Sequence, residues 1–202
     1  MEKITVVIPH RTTEDASQTL NSLAEQTFKD FKTVVQSDNN LGANWARNEG
    51  FKQCDTEFVL FSDNDISWKD NAIEVLYQTL QRFRRASYSY GRFEIDRVIW
   101  GHQMFDPIKL RLGNYISTMS LIRSDDFRSV GGFDETLKGY QDWDLWLSFL
   151  AQGKRGAYCN ELIFTTEPRN GISANRDKTM EAARAINDKH DLKLARFNTG
   201  YL

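Results

Sequence analysis

Three short apolar runs, each closed by a polar turn and separated by stretches of helical period, restrict this chain more than any other feature. They are KITVVIP, stopped by Pro9 before His10 and Arg11; FKTVVQSD, ending in Asp38; and EFVLFSD, ending in Asp63. The first, short and β-branched, predicts a strand buried on both faces, and the other two read as a second and a third strand. TTEDASQTLNSLAEQTF, ANWARNEGFKQC and KDNAIEVLYQTLQRF follow them in turn and read as helices. In the first helix a threonine N-cap and an acidic first turn are expected ahead of Leu20, Leu23, Ala24 and Phe28. The third carries an apolar stripe of Ile73, Leu76, Tyr77 and Leu80. Such alternation predicts an α/β fold: a Rossmann-like, mostly parallel sheet flanked by helices. Ligands of these sheets sit beyond the carboxyl ends of the strands. Pro9-His10-Arg11, Ser37-Asp38-Asn39 and Ser62 through Asp65 are therefore expected to line one crevice.

The second part of the chain is more mixed. YSYGRFEI, RVIWGHQMF, NYISTMSLIRS and AYCNELIFTT read as strands, and GYQDWDLWLSFLAQG as an amphipathic helix between glycines. ANRDKTMEAARAINDKHD reads as a charged surface helix. No repeat, low-complexity segment or linker interrupts the 202 residues, so one domain is expected. Residues 1–85 and 86–202 would form its two halves. WGHQMFDPIKLRLGN has no usable period.

A formal net charge of -2 argues against a nucleic-acid footprint. RFRRA, Arg82 to Ala86, reads as a solvated helix end or as a surface for phosphate or anionic lipid. Cys54 and Cys159 have no metal-ligand spacing and make no disulfide framework. The apolar part of MEKITVVIPH is too short for a signal peptide, and no later run approaches membrane-spanning length. Cytoplasmic placement is the expectation, with peripheral contact to a membrane left open through a lipid-linked substrate.

The LFSDNDISW stretch sets the chemical question, because Asp63 and Asp65 flank a single residue just past a strand. Asp and Asn are good turn residues. Two carboxylates beyond a strand are also a start toward a Mg²⁺ or Mn²⁺ site, since hard cations take oxygen ligands and share substrate phosphates. Spacing alone leaves both readings open.

The order of further segments resembles the family 2 glycosyltransferases, inverting enzymes with the A-type, nucleotide-sugar-binding fold. VVIP is similar to that family's first strand, and SLAEQTFKDFKTVVQSD to its first helix and second strand. Asn40, Gly42, Ala46, Arg47, Asn48 and Gly50 match its N-x-G-x-x-x-A-R-N-x-G segment, and LFSDND its metal motif. GNYISTMSLIRSDDFRSVGGFDE resembles the acceptor-side strand and turn, and QDWDLWLSFLAQG the E-D-x-D-L-W-L helix.

The resemblance implies a nucleotide sugar as donor, a saccharide or glycan as acceptor, and Mn²⁺ or Mg²⁺ as cofactor. It assigns Asp38 to the nucleobase, Asp63 to the ribose and metal, Asp65 to the metal, and Asp142 to the general base. Arg47 would help hold the nucleotide. Pro9 and His10, just past the first strand, are candidates to face the base. Trp143 is a candidate to stack on the acceptor or to position Asp142, against the commoner role of a core tryptophan.

Two departures stand out. Gln141 replaces a glutamate, which removes a like charge beside Asp142, and Asp144 cannot substitute because residues two apart on a helix diverge. The late loop TTEPRNGISANRD has no histidine; Arg169 stands there, suited to clamp a diphosphate or simply an exposed loop residue. A non-catalytic nucleotide-sugar-binding protein that keeps the fold is the alternative. A sugar-1-phosphate nucleotidyltransferase is disfavoured, because IPHRTTED lacks the glycine such a loop uses.

Overall fold

The computed structural model describes residues 2–167 and 176–194. It opens with β1 (Ile4–His10), α1 (Ser17–Ala24), β2 (Phe31–Ser37), α2 (Ala43–Phe51) and β3 (Phe58–Phe61). β1 lies between β2 and β3 and is parallel to both, so Val7 sits opposite Val34 on one side and Phe61 on the other. The unbroken apolar run of β1 is explained by its two covered faces. Ile4, Val6 and Ile8 join a cluster with Leu23, Ile73, Leu76 and Leu80. Val7 points the opposite way, into a cluster with Phe127, Phe133 and Trp146. Helix α2 lies so close to that face that a Cβ at Gly50 would collide with the Val7 side chain.

The chain continues through β4 (Ile66–Trp68), α3 (Ala72–Arg82), β5 (Tyr88–Ile95), β6 (Val98–Trp100) and α4 (Pro107–Leu112). Then come β7 (Leu121–Arg123), α5 (Ser124–Ser129), α6 (Gln141–Ala151), β8 (Gly156–Thr166) and α7 (Arg176–Lys189). The sheet order is β2-β1-β3-β7-β5-β8-β4, with β6 paired to β5. The first three strands are parallel, whereas β7 runs antiparallel to both β3 and β5. The result is a mixed, helix-flanked α/β sheet.

Several elements differ from the sequence reading. Helix α1 starts at Ser17 without a threonine cap. The acidic residues before it serve loop contacts instead: Asp15 accepts from the Ser17 amide at 2.8 Å and Glu14 from Asn64 at 2.8 Å. RVIWGHQMF and NYISTMSLIRS contribute only three strand residues each, and β4, α4 and α5 have no counterpart in the expectation. Helix α7 is not merely a surface helix, because Ala182, Ala183 and Ile186 are buried. Cys54 and Cys159 are free and buried. Among the described residues no helix is long and apolar enough to cross a membrane.

Candidate active site

Parallel pairing brings the ends of β1 and β2 together. The Asp38 amide donates to the His10 carbonyl at 2.9 Å. The Asp38 carboxylate, 6% exposed, accepts from the Asn40 amide at 3.0 Å and from Arg11 Nε at 3.4 Å. Asn39 and Asn40 follow in the left-handed region, at φ 47 and 62, which asparagine tolerates. Pro9 is buried, and His10 Nδ1 is shielded from solvent without a partner.

The Asp63-Asn64-Asp65 segment is a turn whose backbone is tied down from three directions. The Thr19 hydroxyl on α1 donates toward the Asp63 and Ile66 carbonyls and accepts from the Ile66 amide at 3.1 Å. Ser62 bonds the Asp63 carbonyl, and Thr166 on β8 bonds the Asp65 carbonyl, each at 3.1 Å. Hydroxyls from Thr19, Ser62 and Thr166 thus hold the turn through its backbone carbonyls.

Arg47 on α2 occupies the space behind this turn. Its Nη2 lies 2.6 Å from Asp63 Oδ1, and its Nη1 donates to Asn44 Oδ1 at 3.2 Å. The guanidinium also sits 5.4 Å over the Phe133 ring. A cation only 3% exposed requires such partners; even so, Nε is shielded and unpartnered. The next residue on the same helix, Asn48, exchanges two bonds with the Phe133 backbone, at 2.9 and 3.0 Å. Asn44 donates to the Asp134 and Leu137 carbonyls. At Gly132, φ is 81, and a Cβ would lie 2.7 Å from Asn48 Oδ1. The A-R-N and G-G-F-D segments are thus two halves of one clamp joining α2 to the approach of α6.

Asp142 stands in the first turn of α6, two residues after Tyr140, which holds the left-handed region at φ 50. Its Oδ1 accepts from the Trp143 amide at 2.9 Å. Burial pushes the carboxyl up to about 6, against the opposing pulls of the Trp143 amide, the Arg47 charge and the Asn114 side chain. Arg47 is therefore the residue that links the Asp63 and Asp142 carboxylates electrostatically.

Asp144 turns elsewhere, meeting Lys189 Nζ at 2.9 Å and His190 Nε2 at 2.8 Å. Trp143 is 4% exposed and donates its indole N–H to the Leu110 carbonyl at 2.7 Å; Trp146 is fully buried and donates to Ile116. Neither offers an acceptor a free ring face, which corrects the expectation of stacking by Trp143. Its contact with Asp142 is through its backbone amide.

Arg169 lies outside the described residues. Asn114, Thr19 and Asn44 escaped the sequence reading, since a single asparagine or threonine carries no periodic signal. Among the described residues no cluster of three His, Cys, Asp or Glu side chains could hold a metal. Two carboxylates at one turn are oxygen donors of the kind hard cations take, and one of them, Asp63, is already paired with Arg47.

The model of glycosyl transferase family 2 matches residues 11–133, a span that includes Asp38, Arg47, Asp63 and Asp65 and stops short of Asp142. An uncharacterised glycosyltransferase of Haemophilus influenzae is 24% identical over 83% of this chain. The match spans 62% of that relative's own length, under two thirds. Among solved structures, TarS from S. aureus in complex with UDP-GlcNAc superimposes with a TM-score of 0.76 at 19% identity, over 98% of this chain and 69% of that one. A mannosyltransferase from Pyrobaculum calidifontis, in complex with GDP-Man and Mn²⁺, gives a TM-score of 0.66 at 14% identity, over 96% and 70% of the two chains. These likenesses establish the A-type glycosyltransferase fold.

Proposed function

The chain belongs to glycosyl transferase family 2, and on that premise we propose that it moves a sugar from a nucleoside-diphosphate sugar, a UDP-sugar first, to a hydroxyl of a saccharide or glycan acceptor with inversion at C1. The observation that carries this reading is Asp142: a carboxylate with a raised pKa, coupled through Arg47 to the Asp63 turn.

Asp142 takes the proton of the acceptor hydroxyl as that oxygen bonds to C1. The C1–O bond to the diphosphate breaks on the opposite face, and the nucleoside diphosphate leaves with the electron pair. A pKa of about 6 suits a general base at neutral pH, since it is ionised yet more basic than an ordinary aspartate. Such a base contributes roughly 10²–10⁴ in rate. Asp38, with Pro9 and His10 beside it, lies where the nucleobase would enter at the ends of β1 and β2. Arg47 holds Asp63 in place rather than reaching out to the nucleotide. Asp63 and Asp65 would hold Mn²⁺ or Mg²⁺, which offsets the charge that grows on the diphosphate.

The test is a thermal-shift series with UDP, GDP and dTDP, each with and without Mn²⁺, paired with mass-spectrometric detection of released nucleotide from a donor panel. A ligand of the folded state raises the melting temperature. The expected result is a rise with UDP that Mn²⁺ enlarges, plus slow donor hydrolysis. No rise with any nucleotide sinks the proposal; a rise without turnover of any donor favours the non-catalytic alternative.

A further inference from the structure

The segment between β6 and Asn114 holds an arrangement that folding does not explain. Met104, Ile108 and Leu112 are 75%, 72% and 57% exposed, at successive four-residue steps. Ile108 and Leu112 share one side of α4, with Met104 in the segment that leads into it, while Leu110 on the opposite side is fully buried. Lys109 and Arg111, both exposed, flank the aliphatic row on either side. On α4 itself the charges are Lys109 and Arg111, with Asp106 engaged as the cap, in a chain whose formal net charge is -2.

This surface is not a loose loop. Asp106 caps α4 by accepting from the Ile108 and Lys109 amides at 2.8 and 3.1 Å. Tyr115 bonds the Asp106 backbone on both sides, and Trp143 bonds the Leu110 carbonyl. Arg111 reaches the Asp191 carbonyl at 3.1 Å. A short helix anchored at so many points holds Ile108 and Leu112 out in water, with Met104 exposed just ahead of it. An apolar row rimmed by cations is the surface pattern of a contact that is both apolar and anionic.

We propose that the outer face of α4 docks on an anionic lipid bilayer, with Ile108 and Leu112 entering the headgroup–acyl boundary and Lys109 and Arg111 against lipid phosphates. The backbone that carries this face is also bonded by Trp143, the residue next to Asp142. Docking there therefore brings the acceptor side of the crevice to the membrane surface, where an acceptor on a lipid carrier would be presented. That last step rests on the proposed function; the docking does not.

The experiment is co-sedimentation of the full chain with vesicles of equal parts phosphatidylglycerol and phosphatidylcholine, and with phosphatidylcholine alone. Expected is salt-sensitive binding to the anionic vesicles only. Ile108→Asp with Leu112→Asp should lower the bound fraction at least about tenfold, Lys109→Glu several-fold, and Ile108→Trp should raise it. These side chains are exposed, so melting temperatures should stay at the wild-type value. The UDP-induced thermal shift should also be unchanged, which separates failure of docking from failure of the nucleotide reading. Wild-type protein left in the supernatant, or a doubly substituted variant that binds as well as wild type, overturns the proposal. So does a wild-type dimer in sedimentation velocity that the double variant dissolves, since a second copy would then cover the face.

Discussion

Asp142 and Asp144 leave the first turn of α6 toward two different regions, the crevice and the buttress formed by α7. Asp144 is 1% exposed and meets two basic side chains, Lys189 and His190. Burial works against the charge of Lys189, but its hydrogen bonds to Asp144 and Asp134 prevail and raise its pKa. Asp142 has no cation in hydrogen-bond contact among the described residues; Arg47 acts on it through space, and its carboxyl is pushed up to about 6. The same residue type is neutralised by positive charge at one position and held above its ordinary pKa at the other, although Asp142 is the less buried of the two by solvent exposure. Two positions along a helix are enough to separate these roles.

The largest effect should come from Asp142→Asn. Asparagine keeps the shape and can still accept from the Trp143 amide, so only the basicity is lost. Turnover should fall by roughly 10²–10⁴, while the UDP-induced thermal shift is retained. Full turnover in this variant would remove Asp142 from the reaction and erase the contrast with its neighbour.

The opposite pattern is expected of Asp144→Ala. It leaves His190 shielded without its carboxylate and Lys189 with Asp134 alone. Removing one partner of a fully buried pair costs about 3–5 kcal/mol. Lys189 is 42% exposed and keeps one partner, so about 2–3 kcal/mol is the better figure here, read by urea denaturation. Turnover below the melting transition should stay within a few-fold of wild type. A large loss of turnover without loss of stability would show that Asp144 serves the crevice after all.

Legibility in the sequence divided along similar lines. β1, β2, β3, α2, α3, α6 and β8 were readable because burial on one face or two imposes a period on the sequence. Short elements defined by neighbours rather than by period were not: β4 hangs on the Thr19 hydroxyl, and α4 on the Asp106 cap and Trp143. The start of α1 was misplaced because Glu14 and Asp15 make loop contacts that look, in sequence, like an acidic first turn. Asp38, Asp63, Asp65 and Asp142 could be singled out because carboxylates at strand ends and in an ordered set of segments are conspicuous. The work of Arg47, Asn44 and Asn48 was hidden, since their partners lie in the Asp63 turn and about ninety residues along the chain. A buried arginine that pairs with one aspartate and acts at a distance on another leaves no mark in spacing.

The smallest expected effect sharpens the comparison most, because it needs no substrate. The Asp142 carboxyl titrates near 6 in the folded chain and near 3.8 when unfolded. Between those values the folded state binds the additional proton, so stability must fall as pH rises through that window. Below about 4 both states are protonated and the penalty is absent; above about 6 it is fully present. Two units correspond to about 3 kcal/mol at most, and local relaxation should leave about 1–2 kcal/mol. Asp142→Asn removes the ionisation and should therefore be more stable than wild type at pH 7–8, with the advantage shrinking to nothing as pH falls toward 4. Chemical denaturation of the two proteins across that range reads the difference directly. Asp144→Asn should give the opposite sign at neutral pH, because it discards a charge that Lys189 neutralises. If both asparagine variants destabilise the chain alike at pH 7–8, Asp142 is not held under desolvation strain, and the poise that makes it a base is lost with it.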